Sequence, residues 1–195
     1  TQEQMALGGS DALPLDNLDS NICCKDALFT PWPQVDAIIG NPPYQSKNKL
    51  QAEMDRAAIN RLHDRYPGID GRADYCVYWF RRAHDHLQPG QRAGLVGTNT
   101  IRQNYSREAG LDYIVNNGGT IIDPVSSMIW SGEAVVHVSI VNWVKGPAEG
   151  RKRLYIQDGN NVDTGWRHSD FDKISSSLSF EFDVTQAKRI EVNAT

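Results

Sequence analysis

Four consecutive residues, Asn41-Pro42-Pro43-Tyr44, carry groups suited to holding and orienting a ligand. They follow a short apolar run, Val35 to Ile39, whose length fits a strand that is buried on both faces. The two prolines supply no N–H group, fix two φ angles and favour an extended Asn41. Open α/β sheets bind their ligands at polar turns of this kind, at the carboxyl ends of buried parallel strands. We therefore predict an active site at residues 41–44, where an amide oxygen and a rigid backbone carbonyl can accept hydrogen bonds.

The same four residues also have simpler interpretations. Asn-Pro is a common way to open a turn, and Pro-Pro-Tyr occurs in loops that bind peptide-recognition domains. Taken alone, the four residues would be structural more often than catalytic. Their position favours a site, because a linker motif does not normally end an apolar strand.

Residues 36–44, with the sequence DAIIGNPPY, resemble the catalytic motif of amino-methyltransferases that use S-adenosylmethionine, chiefly the adenine-N6 DNA methyltransferases. Residues 13–22, 25–29 and 133–141 resemble a narrower group within that family. These are the large single-chain type II restriction–modification enzymes, in which endonuclease, methyltransferase and target-recognition parts are fused. The resemblance extends from about Leu13 to Lys145, and the Asn-Pro-Pro-Tyr with its strand is the specific part.

The resemblance implies a role for each residue of the turn. The exocyclic amino group of adenine is a poor nucleophile because its lone pair is delocalised into the ring. The Asn41 side-chain oxygen and the Pro42 carbonyl would accept its two hydrogens and localise that lone pair toward an electrophilic methyl group. Pro43 keeps the turn rigid, and Tyr44 would stack on a base flipped out of the duplex. Trp130 would cover the other face of the base, and a packing role is its more common alternative.

The family also implies S-adenosylmethionine as the cofactor. The sequence from Asn21 to Cys24 predicts a short strand that ends at Lys25-Asp26. By resemblance, Asp26 would accept a hydrogen bond from the adenine amino group of the cofactor, and a helix cap is the alternative role for this acid. We find no glycine-rich turn between a strand and a helix with an acid about 20 residues later. In this family that fingerprint precedes the Asn-Pro-Pro-Tyr. We therefore expect it, with the first two strands of the fold, to lie before Thr1, and we expect this fragment to be inactive alone.

A second predicted strand brings further residues toward the turn. Residues 92–97 form an apolar run, and Thr98 and Asn99 come directly after it. If this strand is the parallel neighbour of the first, both side chains lie beside Asn41. Arg102 follows on a predicted loop, where it would contact nucleic acid or solvent. We include Thr98, Asn99 and Arg102 among the candidate substrate-binding residues.

Helical spacing of apolar residues separates most of the predicted strands. It is clearest from Arg72 to Leu87, where Asp70 or Gly71 would cap the start. Residues 49–66 and 106–117 show weaker helical patterns. Each of these helices would pack on the sheet or lie at its surface.

The order of these elements predicts the fold class. Strands near residues 21, 36, 92, 120 and 136 alternate with helices, and residues 124–133 would form a long turn. Alternation of this kind predicts an α/β fold with a parallel sheet whose last pair can be antiparallel. Together with the resemblance, it implies part of a Rossmann-like class I S-adenosylmethionine-dependent methyltransferase fold. We assign residues 1–146 to a partial catalytic domain. Residues 147–195 would be a C-terminal extension or the start of a connection to a target-recognition region, with an extra strand at 153–156.

Composition describes an ordinary globular chain of 195 residues, 39% hydrophobic and 23% charged. No apolar run approaches the ~20 residues that span a bilayer, and the N-terminus lacks the plan of a signal peptide. We therefore expect a cytoplasmic protein without a membrane partner. The three cysteines fit neither a disulfide framework nor a metal site, and they predict reduced, buried thiols and no bound metal.

Charge is distributed unevenly along the chain, whose net charge is −4. Residues 1–40 contain six acids and one base, whereas residues 41–111 contain eleven bases and seven acids. The positive part thus begins at the candidate site, as a partner of double-stranded DNA would require. Charge runs are also the usual composition of solvated faces.

Three functions are compatible with these observations. The first is a site-specific DNA adenine-N6 methyltransferase of a restriction–modification enzyme, acting with the remaining domains of its parent chain. The second is methylation of a protein glutamine or an RNA base, because those families share Asn-Pro-Pro-Tyr; the long basic segment after Tyr44 fits DNA better. The third is a non-catalytic DNA-binding module that has lost the cofactor site.

Overall fold

The computed structural model describes residues 21–130, 136–159 and 164–181. The chain divides into two compact units, Thr1–Trp32 and Pro33–Thr195. In the first unit, the carbonyl of Asp26 accepts the backbone N–H groups of Phe29 and Thr30 at 3.2 and 2.9 Å, which forms a turn.

The predicted strand at Asn21–Cys24 is wrong, because residues 22–24 have an irregular conformation. A strand requires a neighbour for its backbone groups, and none of the described residues pairs with this segment. Cys23 and Cys24 are exposed, which also contradicts the prediction of buried thiols. Cys76 is buried, as predicted.

Among the described residues, the second unit contains a mixed sheet of six strands in the order β1-β2-β4-β3-β5-β6. The strands are β1 (Ala37–Gly40), β2 (Arg92–Thr98), β3 (Gly119–Trp130), β4 (Val136–Lys145), β5 (Lys152–Gln157) and β6 (Trp166–Phe171). β1 pairs with β2 and β3 pairs with β5 in parallel, whereas the pairs β2–β4, β3–β4 and β5–β6 are antiparallel. β4 inserts between β2 and β3, so β1, β2, β3 and β5 all run in one direction. The predicted α/β class with an antiparallel pair of late strands is confirmed.

The helices are short and lie mainly between the first three strands. They are α1 (Lys47–Glu53), α2 (Arg56–Arg65), α3 (Val77–His86), a 3₁₀ helix (Asn99–Arg102), α4 (Asn104–Arg107), a π-helical segment (Glu108–Asp112) and α5 (Tyr113–Asn116). The helical pattern at residues 49–66 corresponds to two helices, because the Asp55 carboxylate accepts the N–H of Ala58 at 2.7 Å and starts α2.

The apolar stripe of α3 packs against the sheet, as the sequence predicts. Phe80 and Ala83 are fully buried, and the Phe80 ring stacks on Trp143 of β4 with centroids 5.8 Å apart. The predicted start of this helix is wrong. Asp70 does not cap it but binds the backbone N–H and the guanidinium of Arg72, and α3 begins at Val77.

The burial predicted for the strand at Val35 to Ile39 is also wrong. β1 has β2 on one side and forms the edge of the described sheet. Ile39 is 88% exposed, although its sequence pattern is that of a strand buried on both faces. Burial of an apolar run depends on the neighbours that the fold provides for it, and these cannot be read from the run itself.

Residues 124–130 belong to β3 instead of the long turn that the sequence predicts. The pairing of β3 with β4 shifts register between Ile122 and Val125 and again between Val125 and Met128. Asp123 has a φ of 42° at the first shift. Pro124 lacks an N–H group and fits a strand at such an irregularity, so the proline interrupts the pairing without ending the strand.

The strand predicted at residues 153–156 is confirmed by β5, and β6 extends the same sheet by one more strand. Both lie in the predicted C-terminal extension. Residues 182–195 lie outside the described residues. In the described parts of the chain, no helix combines the length and apolar character needed to cross a membrane.

Candidate active site at the ends of β1 and β2

The Asn-Pro-Pro-Tyr turn begins directly after β1. Asn41 is exposed, Pro42 is buried and Pro43 is exposed, so the turn is anchored at its second residue. The Asn41 side-chain oxygen accepts a hydrogen bond from the Tyr44 hydroxyl. The acceptor expected to hold a substrate amino group is therefore occupied by the tyrosine of the same turn.

Tyr44 is half-buried, and this burial raises the pKa of its hydroxyl. The nearby Cys76 thiol raises this pKa further, whereas the hydrogen bond to Asn41 lowers it. The net direction is upward, so at neutral pH Tyr44 carries its proton and acts as the donor in its bond to Asn41.

β1 and β2 are adjacent and parallel, which is the condition under which we expect Thr98 and Asn99 to lie beside Asn41. Gly40 pairs with Leu95 in parallel register, and β2 continues to Thr98. Thr98 and Asn99 therefore lie at the sheet edge where β1 ends, as expected from the sequence. The side-chain oxygen of Asn99 accepts the Arg102 Nε–H at 2.8 Å.

Arg102 lies in the 3₁₀ helix, so the loop predicted for it is wrong. Its side chain is half-buried, and burial lowers the pKa of its guanidinium. The side chain turns back to Asn99 on the same helical turn. Contact with nucleic acid remains a prediction for this residue.

Trp130 is the last residue of β3, and the register of β4 relates it to the site. Thr98 pairs with Val138, and Trp130 pairs with Val136 of the same strand. Trp130 therefore lies at the same end of the sheet as Thr98. Its side chain is partly buried.

Asp26 lies in the first unit and is exposed. One of its carboxylate oxygens accepts the Leu28 N–H at 3.0 Å, which closes a local turn. Residues 27–30 form turns and a bend instead of a helix, so the alternative role as a helix cap is wrong. The described segments contain no glycine-rich turn that joins a strand to a helix. Contact of Asp26 with S-adenosylmethionine remains a prediction. The described segments also contain no group of three or more His, Cys, Asp or Glu side chains that could hold a metal ion.

The structure adds one residue that the sequence does not single out. The Asp74 carboxylate accepts hydrogen bonds from the Thr98 hydroxyl at 2.6 Å and from the Thr100 hydroxyl. Its backbone N–H donates to the Ser106 hydroxyl at 3.0 Å. Asp74 lies inside the helical pattern predicted from Arg72 to Leu87, so its sequence position alone does not indicate these contacts.

Comparison with known proteins relates this geometry to a family. Residues 1–156 match the family model described as "MmeI, DNA-methyltransferase domain". The Type II methyltransferase M.XhoI from Xanthomonas vasicola is 31% identical over 80 residues, which are 40% of this chain and 14% of that protein.

A solved structure matches the fold. The Type IIL restriction-modification enzyme MmeI in complex with DNA superposes with a TM-score of 0.63 at 20% identity, over 76% of this chain and 20% of that one. This likeness identifies the fold as the predicted Rossmann-like methyltransferase fold. The chain spans only a small part of the length of both proteins. Since the family model covers most of it, the chain belongs to the MmeI DNA-methyltransferase domain family.

Proposed function

We propose that the protein transfers a methyl group from S-adenosylmethionine to the exocyclic amino group of adenine in double-stranded DNA. The observation that carries this proposal is the position of the exposed Asn41 and the two prolines that follow it, directly after the carboxyl end of β1. Membership of a DNA-methyltransferase domain family supports the reaction type. The related MmeI structure is a complex with DNA, which supports double-stranded DNA as the partner.

The chemistry needs two aligned acceptors and no titrating base. When Asn41 and Pro42 each accept one hydrogen of the adenine amino group, its nitrogen lone pair is drawn out of conjugation with the ring. S-adenosylmethionine, when bound, supplies the electrophilic methyl group. Pro42 and Pro43 limit the backbone freedom of the turn, so the acceptors need little reorganisation when the base arrives.

Tyr44 would act in two successive ways. In the described structure its hydroxyl donates to Asn41, which keeps the amide oxygen hydrogen-bonded while no base is present. An incoming amino group would displace this hydroxyl, because both donors require the same oxygen. The ring would then stack on the flipped base. Trp130, at the same end of the sheet, is our candidate for the second face of the base.

The remaining candidate residues would contact the two substrates, DNA and S-adenosylmethionine. Thr98 and Asn99 lie where the target strand would approach the turn, and the Arg102 guanidinium could neutralise a phosphate. Asp26 is our candidate partner for the adenine of the cofactor. A DNA substrate implies a cytoplasmic location, and other domains of the parent chain would then recognise the target sequence.

Methyl-transfer assays on the full-length natural protein test the proposal. With labelled S-adenosylmethionine, we expect transfer to adenine in duplex DNA and none to RNA or to protein glutamine. Asn41→Ala should abolish transfer and leave DNA binding largely intact, because it removes one acceptor from an exposed position. Asn60→Ala, at an exposed asparagine of α2, is the matched control and should keep full activity.

Three outcomes would contradict the proposal. Methylation that persists in Asn41→Ala would remove the turn from the mechanism. Label in RNA or glutamine would support the second function considered above. DNA binding by the natural protein without any methyl transfer would identify a non-catalytic module.

A further inference from the structure

We propose that Asp74 is a positioning residue, which holds the Asn-Pro-Pro-Tyr turn in register with the end of β2. This inference rests on the proposed methyl transfer for its kinetic consequence. The residue lies outside the turn, in the segment that precedes α3. Its role follows from four contacts that join separate parts of the chain.

The first two contacts attach Asp74 to the end of β2. One carboxylate oxygen accepts the hydroxyl of Thr98 at 2.6 Å and also the hydroxyl of Thr100. The two hydroxyl oxygens are themselves 2.7 Å apart. Each hydroxyl has one proton, so the two hydroxyls can donate only two hydrogen bonds between them. The shared carboxylate oxygen can accept both. A charged acceptor makes such bonds stronger than a neutral group would.

The third contact attaches the same segment to the turn. The backbone N–H of Tyr75 donates to the carbonyl of Gln45 at 3.0 Å, and Gln45 directly follows Tyr44. The position of Gln45 thus depends on the residue beside Asp74. Cys76 extends the contact, because its fully buried thiol lies near Tyr44 and 3.9 Å from the Thr98 hydroxyl.

The fourth contact anchors the segment from a third direction. The Asp74 N–H donates to the hydroxyl of Ser106, a buried residue of α4. Residues 74–76 are therefore fixed to β2, to α4 and to the end of the turn. Loss of the carboxylate would release the bonds to both threonines and let the segment that holds Gln45 shift. Displacement of the acceptors by about 1 Å is enough to slow such a reaction about 100-fold.

Kinetic assays on the full-length natural protein test this role. We expect Asp74→Ala to lower the single-turnover rate of methyl transfer about 100-fold and to change the dissociation constants of DNA and cofactor less than about threefold. Thr98→Val, which removes one hydroxyl, should lower the rate about tenfold, and Thr98→Ser should restore it to within about threefold. Asp64→Ala, at an exposed acid of α2, is the control and should match the wild type.

Hydrogen exchange provides a readout that does not need catalysis. The amide of Tyr75 should exchange about tenfold faster in Asp74→Ala and Thr98→Val than in the wild type, with no change in Thr98→Ser or Asp64→Ala. If Asp74→Ala fails to fold, the Tyr75 exchange rates of Thr98→Val and Thr98→Ser test the same role.

The two readouts separate the possible failures. A wild type that methylates no DNA contradicts the proposed function, and the exchange of Tyr75 then decides the role of Asp74 by itself. Exchange that stays unchanged in the folded Asp74→Ala and Thr98→Val variants overturns the positioning role. The positioning role is also overturned if weaker DNA binding by Asp74→Ala accounts for the whole loss of rate. Asp74 would then be a direct ligand of the DNA.

Discussion

Replacing Tyr44 by phenylalanine separates the two roles proposed for this residue. The phenylalanine keeps an aromatic ring for stacking and lacks the hydroxyl that donates to Asn41. We expect Tyr44→Phe to bind the flipped adenine more tightly than the wild type. The reason is that the base no longer has to displace the hydroxyl from the amide oxygen.

The size of the effect follows from the bond that is removed. A side-chain hydrogen bond contributes about 0.5–1.5 kcal/mol net, which corresponds to an improvement of about 2- to 13-fold. Loss of the ring acts in the opposite direction and is larger. Stacking of a base on an aromatic side chain is worth about 1–3 kcal/mol, so Tyr44→Ala should weaken base binding by about 5- to 150-fold.

Fluorescence of 2-aminopurine placed next to the target adenine measures this step, because the probe brightens when the adenine leaves the base stack and no longer quenches it. Titration of such a duplex with full-length wild type, Tyr44→Phe and Tyr44→Ala gives the three binding strengths. Tyr155→Phe removes a hydroxyl from β5 and is the control, for which we expect no change. Because the Tyr44 pKa is raised, the gain in Tyr44→Phe should be constant across neutral pH.

One result would refute the reasoning about Tyr44. If Tyr44→Phe binds the base as poorly as Tyr44→Ala does, the hydroxyl takes part in holding the base. It would then not be a group that leaves Asn41 when the base arrives.

Two further predictions concern stability, measured by urea denaturation. A Cβ added at Gly119 would lie 2.5 Å from Cγ2 and 2.7 Å from the backbone oxygen of Ile114, so Gly119→Ala should lower the free energy of unfolding by about 1–3 kcal/mol. Gly165→Ala meets no atom within 4 Å and should change it little. Burial lowers the pKa of His84, and nearby Lys145 lowers it further. Above the unfolded pKa of about 6.5 neither state is protonated, and below it the unfolded chain binds a proton more readily. The wild type should therefore lose stability as pH falls below about 6.5, and His84→Gln should lose less. An equal loss in both proteins would contradict this reasoning.

The parts of the site that sequence alone predicts are those set by local chemistry. Two prolines after an apolar run fix the position of the turn, whatever packs around it. The stripe that includes Phe80 and Ala83 likewise predicts a helix face, since helical spacing is a property of consecutive residues. Both predictions agree with the structure, although the helix begins later than expected.

Other parts depend on neighbours that the sequence does not specify. Ile39 looks like an interior strand residue, but it is exposed on β1, the edge strand of the described sheet. Pro124 looks like a turn residue and lies inside β3, because a register shift accommodates it. The Asp74 contacts join residues that are 24 to 32 positions apart, and no local pattern indicates them.

These differences bear on how the turn is kept rigid. β1 pairs with β2 at four positions and has no other partner in the described sheet, so the strand gives the turn limited support. The support must then come from the prolines and from contacts outside the sheet. Tyr75 and Asp74 supply such contacts, since one holds Gln45 and the other holds the end of β2. The rigidity that activation of an amino group would require therefore depends more on these irregular contacts than on the regular pairing of the strand that precedes Asn41.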